Sequence, residues 1–248
     1  MNMKKIISPL LTLLLTAALS AQALAAPRVV KVATDATWPP MEMVDANKNI
    51  VGFDIDFMKA VAKEAGFTIE IKNSAWDGIF AGVESGQYDA IISSVTITEE
   101  RLKKYDFSLP YIDAGQILVV PKGEKGGKLA DLTGKKVGAQ IGTTGAFEIK
   151  KTKGVELKTY DEVGLAFEDM AAGRISGVVC DEPTAIIYAL KKKEYSDKFK
   201  IVGKAFTKEF YGIVVKKGDK ELVALINKGI KAVKAKKLDN AMKAQWLK

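Results

Sequence analysis

The hydrophobic period of this chain switches repeatedly between that of a strand and that of a helix. Residues 29–33 are a short apolar, β-branched run. Residues 52–66 carry Phe53, Phe57, Val61 and Ala65 four apart, one face of a helix, with Gly66 as its terminator. Phe67, Ile69 and Ile71 then alternate with Thr68, Glu70 and Lys72, the pattern of a strand. Residues 76–85 set Ile79, Phe80 and Val83 on one side and stop at Gly86, and residues 90–93 read as a buried strand. Strand, helix, strand, helix, strand in that order predicts a mostly parallel sheet covered by helices.

The order then starts again. Residues 123–128, rich in glycine and lysine, are a surface turn. Strands at 135–139, 155–159 and 175–180 alternate with a helix opening at 142–145 and another at 161–172, stopped by Gly173. Strands at 200–202 and 212–215 follow, then helices at 220–235 and 239–247. One stretch has an echo. Glu84-Ser85-Gly86-Gln87-Tyr88-Asp89-Ala90-Ile91-Ile92-Ser93 parallels Ala171-Ala172-Gly173-Arg174-Ile175-Ser176-Gly177-Val178-Val179-Cys180, each a helix end, a glycine and a buried strand. Ser94 follows Gly86, and Asp181 follows Gly173, by the same interval. Both polar residues then sit at carboxyl ends of strands, where open α/β sheets bind ligands. Two lobes facing one cleft is the expectation.

Residues 1–5 hold two lysines, residues 6–18 are mostly apolar, and Ala23-Leu24-Ala25 supplies the small residues of a cleavage site. That order is a secretory signal peptide, so residues 1–25 are expected to be removed and the rest exported to the periplasm. The apolar run is too short and interrupted for a membrane span, and no direct membrane insertion is expected. The formal net charge of +8 is spread along the chain. It lacks the interleaved aromatic and basic residues of a nucleic-acid face and reads as a solvated surface. The single cysteine, Cys180, excludes an intramolecular disulfide and reads as an inert core residue; the lack of histidine excludes an imidazole triad or a His-ligated metal. No cofactor or metal is expected.

The residues at the strand ends describe a ligand. Arg101 offers a planar fork suited to a carboxylate, with Ser94 and Thr96 beside it. A bland alternative makes Arg101 a surface residue in the first turn of a short helix capped by Thr98. Gly142-Thr143-Thr144-Gly145 precedes a helix whose first amides favour an anion. Asp181, on the opposite lobe, accepts only and suits an ammonium. A fork for a carboxylate plus an acid for an amine describes the backbone of a free α-amino acid. Trp38 and Trp76 follow strands near the same edge and offer faces for an aliphatic or cationic side chain, or else belong to the core. Asp35 and Asp54 add negative charge nearby; Asp54 alternatively serves its helix N-terminus.

The chain resembles the amino-acid-binding proteins of polar amino-acid ABC importers, solute-binding protein family 3, which include glutamine and lysine/arginine/ornithine binders. The stretches that carry this are A-T-D-A-T-W-P-P at 33–40, V-G-F-D-I-D at 51–56, D-A-I-I-S-S-V-T-I-T-E-E-R at 89–101, V-G-A-Q-I-G-T-T-G at 137–145, G-R-I-S-G-V-V-C-D-E-P at 173–183 and Y-G-I-V-V-K-K-G at 211–218. The resemblance implies an α/β, two-lobed periplasmic-binding-protein fold of type II, its two βα lobes joined by two hinge strands. The restarted pattern then sets lobe 1 at 26–112 plus 211–248, lobe 2 at 117–206, and the hinge strands near 112–117 and 206–211. By position, the resemblance implies that Arg101, Thr96 and the Thr144 amide hold the α-carboxylate, and Asp181 and Ser94 the α-ammonium. Asp35, Trp38, Trp76, Ser93 and Gln140 would line the side-chain pocket. Asp54 matches a position used in binders of cationic amino acids.

Gln140 stands where glutamine binders place a lysine, which leaves Asp35 uncompensated. With two tryptophans as the aromatic pair, this turns the expectation toward arginine or lysine. The expected partners are the free L-amino acid and the membrane permease of an ABC importer, served by a monomer. Two alternatives stand beside this: a glutamine-specific binder, and a binding-protein-like dehydratase. The latter needs a cleft acid of raised pKa, and the only clear cleft acid on lobe 2, Asp181, is already explained by the ammonium role.

Overall fold

The computed structural model describes residues 28–248, and the expected signal peptide at 1–25 lies outside them. The chain begins with β1 (Val29–Thr34), a small ribbon of β2 (Thr37–Trp38), β3 (Glu42–Val44) and β4 (Ile50–Val51), then α1 (Phe53–Ala65) and β5 (Thr68–Asn73). It continues through α2 (Trp76–Ser85), β6 (Ala90–Ile91), α3 (Glu99–Lys104) and β7 (Tyr105–Phe107). β8 (Ile112–Ala114) leads out into β9 (Gln116–Pro121), β10 (Lys136–Gln140), α4 (Thr144–Lys151) and β11 (Glu156–Tyr160). Next come α5 (Val163–Ala171), β12 (Gly177–Asp181), α6 (Glu182–Ile186) and β13 (Phe199–Val202). β14 (Glu209–Tyr211) leads back to β15 (Val214–Lys216), α7 (Lys220–Ala235) and α8 (Leu238–Trp246).

These elements form two α/β lobes. One sheet has the order β5-β1-β6-β15-β7, the other β11-β10-β12-β9-β13. Between them β8 and β14 pair antiparallel, Glu209 opposite Ala114 and Tyr211 opposite Ile112. Each sheet has one reversed strand. β15 runs antiparallel to β6 and β7, and β9 antiparallel to β12 and β13. The expected mostly parallel order is thus interrupted once per sheet, by the strand that follows directly from each connection between the sheets.

Periodicity explains the helices. α1 buries Phe53, Phe57, Val61 and Ala65, and Gly66 closes it in the left-handed region with its amide on the Ala62 carbonyl. α7 buries Leu222, Ile226, Ile230 and Val233 against that face. Gly229 allows the two helices to touch: a Cβ there would lie 2.3 Å from the Val61 carbonyl oxygen. The second core gathers Phe167, Tyr188, Tyr195 and Phe199 around Cys180, which is buried and unpaired, with its thiol pKa pushed up by burial. No helix among the described residues is long and apolar enough to cross a membrane.

Candidate functional site

A cavity lies where the two sheets face each other. Trp38, Trp76, Ser93, Ser94, Thr96 and Arg101 line it from the first lobe, and Gln140, Thr143, Thr144 and Asp181 from the second. Nine of the residues singled out in the sequence are therefore brought together, with Thr143 added. The echo places its two polar residues on opposite walls: Ser94 just beyond β6, Asp181 at the end of β12.

Arg101 sits in the first turn of α3, whose cap is Thr98; the Arg101 amide donates to the Thr98 hydroxyl at 3.2 Å. The capping and the cavity position are therefore both real. Its guanidinium donates to the Thr96 carbonyl at 2.9 Å and, across the cleft, to the Gly142 carbonyl at 3.1 Å. It also lies 5.4 Å from the ring centres of both Trp76 and Phe80. Part of the expected tryptophan platform is thus already engaged by the chain's own arginine. Burial pulls the Arg101 pKa down to about 10, against the opposing pull of Asp181 and Glu209.

On the far wall, Asp181 is 5% exposed and accepts a hydrogen bond from the Tyr211 hydroxyl at 2.7 Å. Burial pushes its carboxyl up to about 7, with that hydroxyl acting in the opposite direction. α4 begins beside it, with Thr143 as cap: its hydroxyl accepts from the Ala146 amide at 3.3 Å. The first amides of this helix carry the positive end of its dipole.

Asp35 and Asp54 are not on the cavity wall. Asp35 is 2% exposed and accepts from the Gln140 side-chain amide at 2.8 Å and from the Thr37 hydroxyl at 2.9 Å. Gln140 thus satisfies Asp35 by hydrogen bonding, though it brings no countercharge, which corrects the expectation of an open acid. Gln140 also accepts from the Trp38 indole N–H. Asp54 is fully buried in the first turn of α1, where it accepts from the Ser94 amide at 2.8 Å and the Tyr111 hydroxyl at 2.7 Å. Ser94 has a φ of 50°, an unusual conformation for a residue with a side chain, and in it the amide donates to Asp54.

Two carboxylates beside the cavity escaped the sequence reading. Glu42, on β3, is fully buried; its oxygens accept from the hydroxyls of Ser93 at 3.2 Å and Ser94 at 3.5 Å. Gly52 brings it there: with φ of 137°, it packs so closely that a Cβ would lie 2.2 Å from the Met41 carbonyl oxygen. Glu209, on β14, accepts from the hydroxyls of Thr96 and Thr144, both at 2.8 Å, and of Thr207 at 2.8 Å. Gln116 donates to the same carboxylate at 3.3 Å. The Thr96 and Thr144 protons are therefore committed to Glu209, and donors for an anion in the cavity come from Arg101 and the backbone. Glu42 has a faint sequence signal, an acid beside the apolar run around Met41. Glu209 has none, because the alternation there is inverted: Glu209 faces in while Phe210 is 37% exposed.

The profile of the bacterial extracellular solute-binding proteins, family 3, matches residues 30–248. A probable histidine-binding protein of Neisseria gonorrhoeae is 35% identical over 211 residues, covering 84% of this chain and 78% of that one. Among solved structures, an ancestral arginine-binding protein bound to arginine superposes with a TM-score of 0.84 at 41% identity, covering 89% of this chain and 98% of that one. An ancestral arginine-binding protein bound to glutamine gives 0.83 at 42%, covering 88% and 97%. With the profile spanning nearly every described residue and the two-lobed folds superposing throughout, the chain belongs to the bacterial extracellular solute-binding proteins of family 3.

Proposed function

We propose that this protein captures a free basic L-amino acid, arginine or lysine, in the cleft and delivers it to the permease of an ABC importer when its lobes close. Residues 26–112 plus 211–248 act as one lobe and 117–206 as the other, with the hinge near 112–117 and 206–211. The α-carboxylate sits on Arg101 and the amides at Thr96 and Thr144, and the α-ammonium on Asp181 and Ser94. The side chain runs between Trp38 and Trp76 toward Ser93 and Gln140, with Asp35 and Asp54 behind. The observation that carries this is one cavity with a guanidinium on one wall and a buried carboxylate on the other. Export by removal of residues 1–25, monomeric action and the absence of catalysis belong to the same reading.

The preference for a cation rests on charge. Asp35, Glu42 and Asp54 lie behind the cavity, and among the described residues none of them is ion-paired. An acidic ligand would meet like charge at close range, which costs several kcal/mol. The related structures bound to arginine and to glutamine make glutamine the competing ligand to test. Calorimetry of refolded, ligand-free protein against the twenty amino acids decides it: arginine or lysine tightest is the expected result. Tight glutamate binding with no response to arginine would sink the reading.

A further inference from the structure

Beneath the serine floor of the cavity, Glu42 and Asp54 are both fully buried and share Ser94, whose hydroxyl donates to Glu42 at 3.5 Å and whose amide donates to Asp54 at 2.8 Å. Asp54 Oδ2 takes donors from Ser94 and Tyr111, while its buried Oδ1 receives none from any other residue. A carboxylate only accepts, so two of them served by one serine leave Asp54 Oδ1 without a donor, a gap that one proton fills. Two like charges this close and this dry do not both ionise. The groups facing the pair supply no cation. Asp35 adds a further acid from the end of β1, and Tyr111 and Tyr211 present phenols. Asp181 lies behind the Tyr211 hydroxyl, and the nearby Lys234 is held by the Tyr111 carbonyl at 2.7 Å and by Asp239 at 2.8 Å.

We propose that Glu42 and Asp54 share one proton in the ligand-free protein, and that a cationic side chain settling above Ser93 and Ser94 expels it. The coupling passes through one layer of hydroxyls, because both serines donate to Glu42 and both line the cavity. A positive charge there favours the doubly ionised pair; an uncharged side chain does not. The pair thereby adds selectivity for cations that grows with pH. The direction of the carboxyl shifts agrees, since burial raises both and Asp54 raises Glu42 further.

This deepens the proposed capture of a basic amino acid and rests on it. The test is titration calorimetry of the full mature chain with arginine and with glutamine, each in two buffers of different ionisation enthalpy. Asp181 responds to the α-ammonium common to both ligands, so the difference in protons released isolates the pair. The expected result is a larger release with arginine, up to about one proton, and an arginine affinity that gains up to about tenfold per pH unit over glutamine. Glu42→Gln removes the difference. Should that variant not fold, infrared spectroscopy of the parent at neutral pH replaces it: a protonated-carboxyl band that disappears on adding arginine, but persists with glutamine, is expected. Equal proton release, or no such band, overturns the shared proton and leaves amino-acid capture standing. Binding of neutral amino acids with no response to arginine or lysine overturns both.

Discussion

The hydroxyl of Tyr211, on the connecting strand β14, donates to Asp181 at the end of β12 across 2.7 Å, with both residues buried. The connection between the lobes is thus bonded directly to the acid on the second lobe's wall of the cavity. Tyr211→Phe keeps the ring and removes only this donor. A hydrogen bond to a charged group contributes roughly 1.5–3 kcal/mol. Affinity is expected to fall about tenfold to a hundredfold, more steeply at pH 6 than at pH 8, because Asp181 then protonates more readily. Calorimetry at both pH values checks this; an unchanged affinity contradicts it.

Arg101→Ala removes the fork from the cavity wall, where the proposed lobe closure would desolvate it with the α-carboxylate. Truncating one partner of a desolvated charge pair costs about 2–5 kcal/mol, or roughly thirty-fold to several thousand-fold in affinity. Arg101→Lys is expected to fail substantially as well, since an ammonium lacks the bidentate fork. Binding within about threefold of the parent in both variants would return Arg101 to a helix-start role alone.

The ligand-free protein is expected to become more stable as pH falls from 8 to 5. Asp181, pushed up to about 7, holds its proton more tightly folded than unfolded. Its contribution is complete below the unfolded carboxylate range and is lost as pH rises through about 7. Asp106 has the opposite sign. Lys220 and the Gly218 amide hold it down to about 2, so its contribution disappears as pH falls toward that value. Melting curves across pH 2–8 therefore peak between these limits, and Asp181→Asn flattens the upper limb.

Glu209→Ala is expected to lower the melting temperature without altering selectivity. It removes a buried acceptor shared by Thr96, Thr144, Thr207 and Gln116, at a cost of about 1–3 kcal/mol. That carboxylate holds Thr96 and Thr144, the two residues proposed for the α-carboxylate end that all amino acids share. The ratio of arginine to glutamine affinity should stay within about threefold of the parent; a larger change would assign Glu209 to side-chain recognition.

Gly229→Ala sets propensity against packing. Alanine gains about 1 kcal/mol of helix propensity, but its Cβ would sit 2.3 Å from the Val61 carbonyl oxygen. Backbone cannot yield as a flexible side chain does, and overpacking costs typically about 1–3 kcal/mol. A net loss is expected, seen as a melting temperature lower by several degrees at about 2–4 °C per kcal/mol.

The sequence made the helices legible because one-sided burial writes itself as a period: α2 and α7 span the residues expected, and α1 differs only at its glycine caps. The site was legible at the strand ends for a similar reason. A polar residue after a buried run, as at Ser94 and Asp181, has few places to go. What escaped depends on approach between distant segments. Residues 37–51 alternate too briefly to reveal the ribbon β2–β4, so nothing marked Glu42 as neighbour to Asp54. The inward Glu209 and outward Phe210 reverse the usual assignment of a two-residue period, and only the pairing with β8 decides it. That Asp35 lies off the cavity wall, bonded to Gln140, could not be read because the two are 105 residues apart.

The position of β15 also has a consequence for the order in which the molecule assembles. β7 has β15 as its only neighbour in the first sheet. A chain synthesised from its N-terminus therefore cannot finish that sheet until residue 216 has emerged. The second sheet, drawn from the unbroken stretch 116–202, is complete earlier. Domains tend to fold as their residues become available. Here the segment made first must wait for the segment made nearly last, and the inserted lobe closes while its host is still an open strand-and-helix fragment.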